Sequence, residues 1–355
     1  MSTRILDAQK MKELQPAHAL WKLYQPEKAP FRFRARTREE ARKWQNTARK
    51  VLADTLGLGF LPQAPLSPKT LERVDKGDYV REKVLLRTSR YTLMPVYILI
   101  PKSAPRPVPV ALAFHGHGYG VKDIVGLWED GSERKNPDGY QKHFAVMLCR
   151  RGFAVAAPEI SCFGERQTDF HLKTGQAAPS TCTHTAQLAV HLGISALGLR
   201  IHDGLRLVDY LKTRRDLDVN RLGAMGISGG GMHSLFSTCI DKRIRACVVS
   251  GYFCSFRDSI FAMTHCACNY VPNLHQFGEM YNLAGLIAPR PMLVESANHD
   301  SIFPIRAVRT AMARARSIYG VFGAGDDIEA DYFEGRHQIS GRRAYDFLYE
   351  KVVRP

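Results

Sequence analysis

Leu222-Gly223-Ala224-Met225-Gly226-Ile227-Ser228-Gly229-Gly230-Gly231-Met232 runs from a strand-like apolar stretch, through one serine set among glycines, into a helical pattern continued by Leu235 and Phe236. Gly226 to Gly230 is a G-x-S-x-G. In a strand–turn–helix context this pattern holds the serine on a sharp, strained turn, with its hydroxyl exposed above a sheet edge. The flanking glycines leave room for the turn, and the N–H after the serine points into the same space. Ser228 is therefore the candidate nucleophile. A serine hydroxyl is a poor nucleophile at neutral pH, so a base and an orienting acid must lie nearby.

Downstream, two further strand-like runs each lead into a loop carrying a suitable group. Pro291–Ser296 leads into Ala297-Asn298-His299-Asp300, and Ile328–Phe333 leads into Glu334-Gly335-Arg336-His337. The order Ser, acid, His along the chain suits parallel strands whose loops meet at one edge. His337 is the candidate base; His299 is disfavoured because it adjoins Asp300 on the same loop. Asp300 is the favoured acid because it lies beyond a strand end, where it can reach an imidazole. Glu295 is the runner-up and Asp258 the third choice.

An oxyanion formed at the attacked carbonyl needs two N–H donors. Gly229 supplies one. Upstream, Phe114-His115-Gly116-His117-Gly118 follows a strand-like run, and His117 is the expected second donor, with Gly118 as the alternative. A two-histidine metal pair at His115 and His117 finds no third ligand at suitable spacing. The loop also fails the dinucleotide pattern Gly-x-Gly-x-x-Gly.

Farther out, Arg81–Arg87 and Tyr91–Ile100 read as a hairpin. Val108–Phe114, Phe153–Ala157, Arg221–Gly226, Ala246–Ser250, Pro291–Ser296 and Ile328–Phe333 read as strands alternating with helical stretches, notably Ala186–Arg215 and Ala307–Tyr319. This predicts an α/β fold with a mostly parallel central sheet and helices on both faces. Segments 119–143, 160–185 and 252–285 are long enough to wall a site at the C-terminal edge of the sheet. Trp128 and the stretch Phe253–Tyr270 are candidate walls for acyl or leaving group. Glu159–Arg166, Arg200, Asp203 and Asp209 read as mainly structural. Arg342 to Val352 predicts a closing helix. Arg38 to Leu56 predicts a helix ending at Gly57, and Leu61 to Lys69, with three prolines, reads as a linker. The expected division is a basic N-terminal helical extension (1–70) packing on a catalytic domain (71–355).

The 355 residues are 45% apolar and 24% charged, which excludes a disordered chain. No apolar run is long enough for a transmembrane helix, so no membrane partner is expected. No secretory leader is visible, which predicts the cytoplasm; a secreted or periplasmic protein would need a leader ahead of this sequence. Of the net charge of +16, residues 1–60 supply +7, from 13 Lys and Arg against 6 Asp and Glu. Phe31-Arg32-Phe33-Arg34-Ala35-Arg36 interleaves aromatics with arginine, but no nucleic-acid motif accompanies it, and a solvated basic face is expected. Eight cysteines are too sparse for a disulfide framework. Cys149, Cys162, Cys239, Cys247 and Cys254 lie in apolar surroundings. Cys266-x-Cys268 beside His265 lacks a second cysteine pair at zinc spacing, so reduced core thiols and no metal are expected.

With Trp44–Leu58, His115-Gly116-His117-Gly118, Met225–Gly231, Asp241-Lys242-Arg243-Ile244, Ala288-Pro289-Arg290-Pro291 and the Asp300 and His337 loops in view, the chain resembles the α/β-hydrolase superfamily. Within it, the chain is similar to the acetyl-xylan-esterase and dienelactone-hydrolase-like branch over about residues 40–350. The resemblance implies Ser228, Asp300 and His337 as the catalytic set, and no metal or organic cofactor. Dienelactone hydrolases use cysteine where this chain has Ser228, which argues against that activity.

Together these observations predict a serine carboxylesterase acting on short-chain acyl esters of carbohydrates or small alcohols. Activity should fall as the His337 imidazole becomes protonated. A peptidase or amidase on the same residues, and a non-catalytic binding protein on a hydrolase scaffold, are the alternatives. A homo-oligomer is compatible with the sequence.

Overall fold

The computed structural model describes residues 8–169 and 181–354. Nine strands form one sheet: β1 (Lys69–Asp75), β2 (Tyr79–Ser89), β3 (Thr92–Pro101), β4 (Val108–Phe114), β5 (Ala154–Pro158), β6 (Leu217–Ile227), β7 (Ile244–Ser250), β8 (Met292–Ala297) and β9 (Ile328–Phe333). Their order is β1-β2-β3-β5-β4-β6-β7-β8-β9. β1, β2, β3 and β5 pair antiparallel, and every pairing from β5 to β9 is parallel.

After α1 (Ala8–Glu13) and α2 (Pro16–Leu23), helices cover both faces: α3 (Arg38–Leu56), α4 (Phe144–Arg150), α5 (Cys182–His191), α6 (Ala196–Leu211), α7 (Gly229–Ile240), α8 (Met280–Ile287), α9 (Ile305–Val321) and α10 (Ala344–Val353). Strand alternation sorts the core in two. Val110, Leu112, Leu222, Ala224, Cys247 and Val249 pack with Leu207, Leu235 and Leu283 on one face. Ala111, Ala113, Met225, Ile227, Ala246 and Val248 pack with Phe144, Leu148 and Leu348 on the other. Near-continuous burial of strands such as β4 follows from parallel pairing, which requires helices on both sides.

Register brings the functional loops to one edge. Phe114 pairs with Gly226, Ile227 with Ser250, Ser250 with Glu295, and Ala297 with Phe333. The residues just beyond these partners, from five different strands, therefore open onto the same space.

Two expectations about elements are corrected. The strands begin earlier than the sequence pattern indicates. β1 starts at Lys69, where the linker reading ends, because it forms an edge whose outward residues need no apolar alternation. The single helical stretch expected over Ala186–Arg215 is two helices. Gly193 adopts φ 77°, and Ser195 caps α6 by accepting the Gly198 N–H at 2.9 Å. Part of segment 160–185 falls outside the described residues.

α3 spans the predicted residues. Thr37 and Glu40 form a reciprocal capping box at its start, and Gly57 closes it at φ 77°. Its buried face, Ala41, Ala48, Leu52 and Leu56, belongs to the main core. Arg49 donates from Nε to the Cys239 carbonyl at 2.8 Å and from Nη2 to Leu286 at 2.7 Å, tying α3 to the ends of α7 and α8. The aromatics of the basic stretch turn inward. Phe33 meets Trp44 edge-on at 5.0 Å, Phe31 packs against Phe277 at 6.0 Å, and the Trp44 indole N–H donates to the Phe31 carbonyl at 3.1 Å. Rings used this way are not available to stack on bases.

Candidate active site

Ser228 occupies the turn between β6 and α7 with φ 56° and ψ −119°. A positive φ at a non-glycine residue is costly and persists only where surrounding structure enforces it. Here the Ser228 N–H donates to the Ser250 carbonyl at 2.9 Å, and its carbonyl accepts from Met232 at 2.9 Å. Close approach explains the neighbouring glycines. A Cβ on Gly226 would lie 2.1 Å from the Gly230 carbonyl oxygen, and one on Gly230 would lie 1.9 Å from that of Phe114.

The structure brings the three expected side chains to one place. His337 Nδ1 lies 2.7 Å from Asp300 Oδ2. The Ile302 and Phe303 N–H groups donate to Asp300 Oδ1 at 2.8 and 3.1 Å, so the carboxylate is fixed by its own loop and presents its other oxygen to the imidazole. The imidazole is held between two rings, Tyr140 at 5.6 Å and Phe303 at 5.8 Å. Its Nε2 is buried and makes no hydrogen bond among the described residues. Ser228, Gly229 and His337 line a common cavity of about 340 Å³ together with His117, Tyr140, Tyr252, Met263, His265, Cys266, Asn269 and Phe303.

The other acids face elsewhere. Glu295 is fully buried within β8, where its Oε1 accepts the Gly341 N–H at 2.8 Å. Burial pushes its carboxyl up to about 7. Asp258 accepts from the Ser255 hydroxyl in the turn Phe256–Ile260. His299 pairs with Glu334 at 2.6 Å on the surface.

His117 flanks Gly229: a Cβ on the glycine would lie 3.1 Å from His117 Nδ1 and Cε1. Gly229 is the first residue of α7, whose opening N–H groups have no intrahelical acceptor and carry the positive end of the helix dipole. The Tyr140 hydroxyl donates to the His117 carbonyl and holds that loop in place. His115 is structural: it is buried, accepts the Ile160 N–H at 3.0 Å and stands 3.1 Å from Glu159 Oε1. Glu159 in turn accepts the Val121 N–H at 3.0 Å, so the loops after β4 and β5 share one buried polar cluster.

The Cys-x-Cys does not stand alone in space. Its companions come from other loops: His117, Cys182, Cys266 and Cys268 place their ligand atoms within 4.8 Å of one another. No linear spacing rule finds this set, because three separate crossover segments contribute to it. The Cys266-x-Cys268 pair was its one sequence signal. Tyr140 and Phe303 carried no signal at all. Of the expected walls, Met263 to Cys266 and Asn269 line the cavity, whereas Trp128 is exposed and lies under the Arg134 guanidinium at 5.2 Å.

Comparison with known proteins agrees with this architecture. The profile described as Abhydrolase family matches residues 14–321. YtaP of Bacillus subtilis (strain 168), named as a hydrolase, is 29% identical over 280 residues, covering 76% of this chain and 86% of that protein. Among solved structures, a Bacteroides fragilis NCTC 9343 protein named as an acetyl xylan esterase superposes with a TM-score of 0.75 at 17% identity, over 90% of this chain and 82% of the other. A glucuronoyl esterase from Solibacter usitatus superposes with a TM-score of 0.61 at 16% identity, over 87% and 93%. At these identities the structural likeness concerns the fold.

Proposed function

From the premise that this chain belongs to the Abhydrolase family, with the α/β-hydrolase fold, we propose that it is a serine carboxylesterase cleaving short-chain acyl esters of carbohydrates or small alcohols. The observation that carries the proposal is the Asp300–His337 hydrogen bond at 2.7 Å, with the free edge of the imidazole and the strained Ser228 turn opening onto one cavity.

The chemistry follows from these positions. Nε2 of His337 takes the Ser228 hydroxyl proton as Oγ bonds to the ester carbonyl carbon. The Asp300 carboxylate holds the imidazole in the tautomer with Nδ1 protonated and stabilises the imidazolium that forms. The carbonyl oxygen, now an alkoxide, is met by the N–H groups of Gly229 and His117 at the positive end of α7. Collapse breaks the bond to the alcohol, which leaves with the proton from Nε2. Water then attacks the acyl-serine, giving its proton to Nε2, and the carboxylic acid departs with Ser228 restored.

The small cavity favours a short acyl group. Asn269 Oδ1, buried without a hydrogen-bond partner among the described residues, offers an acceptor for an alcohol or sugar hydroxyl. Hydrolysis of a chain-length series of p-nitrophenyl esters by wild type and Ser228→Ala tests the proposal. Turnover that is greatest on acetate and lost in the variant supports it. A folded wild type that cleaves no ester but does cleave anilides would replace it with an amidase.

A further inference from the structure

We propose that His117, Cys182, Cys266 and Cys268 form a closed Zn²⁺ site that staples the loops around the active-site cavity. The four ligand atoms lie within 4.8 Å of one another. Around tetrahedral zinc, with Zn–S near 2.3 Å and Zn–N near 2.0 Å, such atoms stand roughly 3.5–3.8 Å apart, so small side-chain adjustments suffice. Cys182 and Cys268 are buried and Cys266 and His117 largely so. None of the cysteines is in a disulfide.

Two further observations point to a metal rather than to three idle thiols. His117 Nε2 is buried and makes no hydrogen bond among the described residues, although three sulfurs crowd the imidazole. An aromatic nitrogen facing sulfurs without a hydrogen bond is placed as a ligand would be. The second is Arg200. Its side chain is fully buried, it donates from Nη2 to Cys182 Sγ at 3.2 Å and to the Ser161 carbonyl at 3.3 Å, and among the described residues its Nε and Nη1 make no hydrogen bond. Among the described residues no carboxylate pairs with it. A buried cation needs a negative counterpart. Zn²⁺ bound by three thiolates and one neutral imidazole carries a net charge of −1, which Arg200 balances. Binding breaks three S–H bonds and releases three protons, with no change of oxidation state.

The ligands come from three places: His117 from the loop after β4, Cys182 from the start of α5, and the Cys-x-Cys from the segment after β7. With all four positions taken by protein, the metal would be structural. It would hold the backbone of His117 beside Gly229 and the Cys266–Asn269 wall of the cavity. Zinc bound here stands next to the ester chemistry without entering it, so its presence is independent of the substrate reading.

The test is metal analysis of the full chain produced in zinc-supplemented medium and dialysed against a weak chelator. One zinc per chain is expected, together with thiolate-to-metal charge-transfer absorption when Co²⁺ replaces it. Cys268→Ser and Cys182→Ser should abolish stoichiometric retention. Arg200→Gln, which leaves all four ligands in place, should weaken it about 10–100-fold. Should a ligand variant fail to fold, thiol titration of the native wild type decides: the three cysteines should react only as zinc is released. A folded wild type that retains no metal, or whose cysteines titrate freely without releasing any, overturns the site.

Discussion

His117 and Gly229 stand side chain against backbone, with 3.1 Å separating the imidazole Nδ1 from the position of a Cβ on the glycine. The contact joins the loop after β4 to the first turn of α7, and these two segments carry the proposed oxyanion donors. It also joins the serine machinery to the thiol cluster, since His117 offers its backbone N–H to the one and its imidazole to the other.

A methyl group at this contact should therefore disturb the oxyanion site without touching the nucleophile. Gly229→Ala is expected to lower kcat about 100-fold, the scale of an ångström's displacement in an active site, with a smaller effect on KM. Steady-state kinetics on an acetate ester measure it, and an unchanged kcat would remove His117 and Gly229 from the proposed oxyanion pair.

Asp300 and Glu295 make opposite predictions although both belong to the β8 region. Asp300→Asn preserves shape but loses the charge that orients His337, and kcat should drop about 10⁴-fold. Glu295→Gln should keep kcat near wild type, because its carboxyl faces the Gly341 amide rather than the imidazole. The reverse ranking would make Glu295 the orienting acid.

Glu295 instead governs a pH dependence of stability. Burial raises its carboxyl from the ordinary 4.5 to about 7. Between these two values the folded chain holds a proton that the unfolded chain has released. The stability contributed by this group is thus full below pH 4.5 and is lost as pH rises to about 7. Glu295→Gln cannot ionise and should lack this fall, ending about 3 kcal/mol more stable than wild type on the alkaline side. Urea unfolding at several pH values distinguishes this from parallel profiles, which would show that the carboxyl is not destabilised by burial.

The packing of α3 is tested through its core contact. Leu52 is wholly buried and packs into the main core. Leu52→Ala should cost about 2–5 kcal/mol, and unfolding should remain a single cooperative transition. A separate, earlier transition for α3 would mean that this segment is stabilised independently of the sheet.

The G-x-S-x-G turn, the alternation of strands and helices, the order Ser228, Asp300, His337 and the limits of α3 could all be read from the sequence. Each depends on neighbours along the chain: glycines that permit one turn, apolar spacing of one period, a capping box of four residues. β1 was missed because an exposed edge strand lacks apolar alternation. The two helices over residues 182–211 were merged because periodicity does not register one glycine in a left-handed turn. The sequence favoured Asp300, but that its carboxylate meets His337 while Glu295 turns to the Gly341 amide required the tertiary structure, since side-chain direction at a strand end depends on sheet register and on which amides the loop offers. The gathering of His117, Cys182, Cys266 and Cys268 required it still more. Parallel strands send successive crossovers back to the same edge, so residues far apart in the chain become neighbours there, and no local pattern records the meeting.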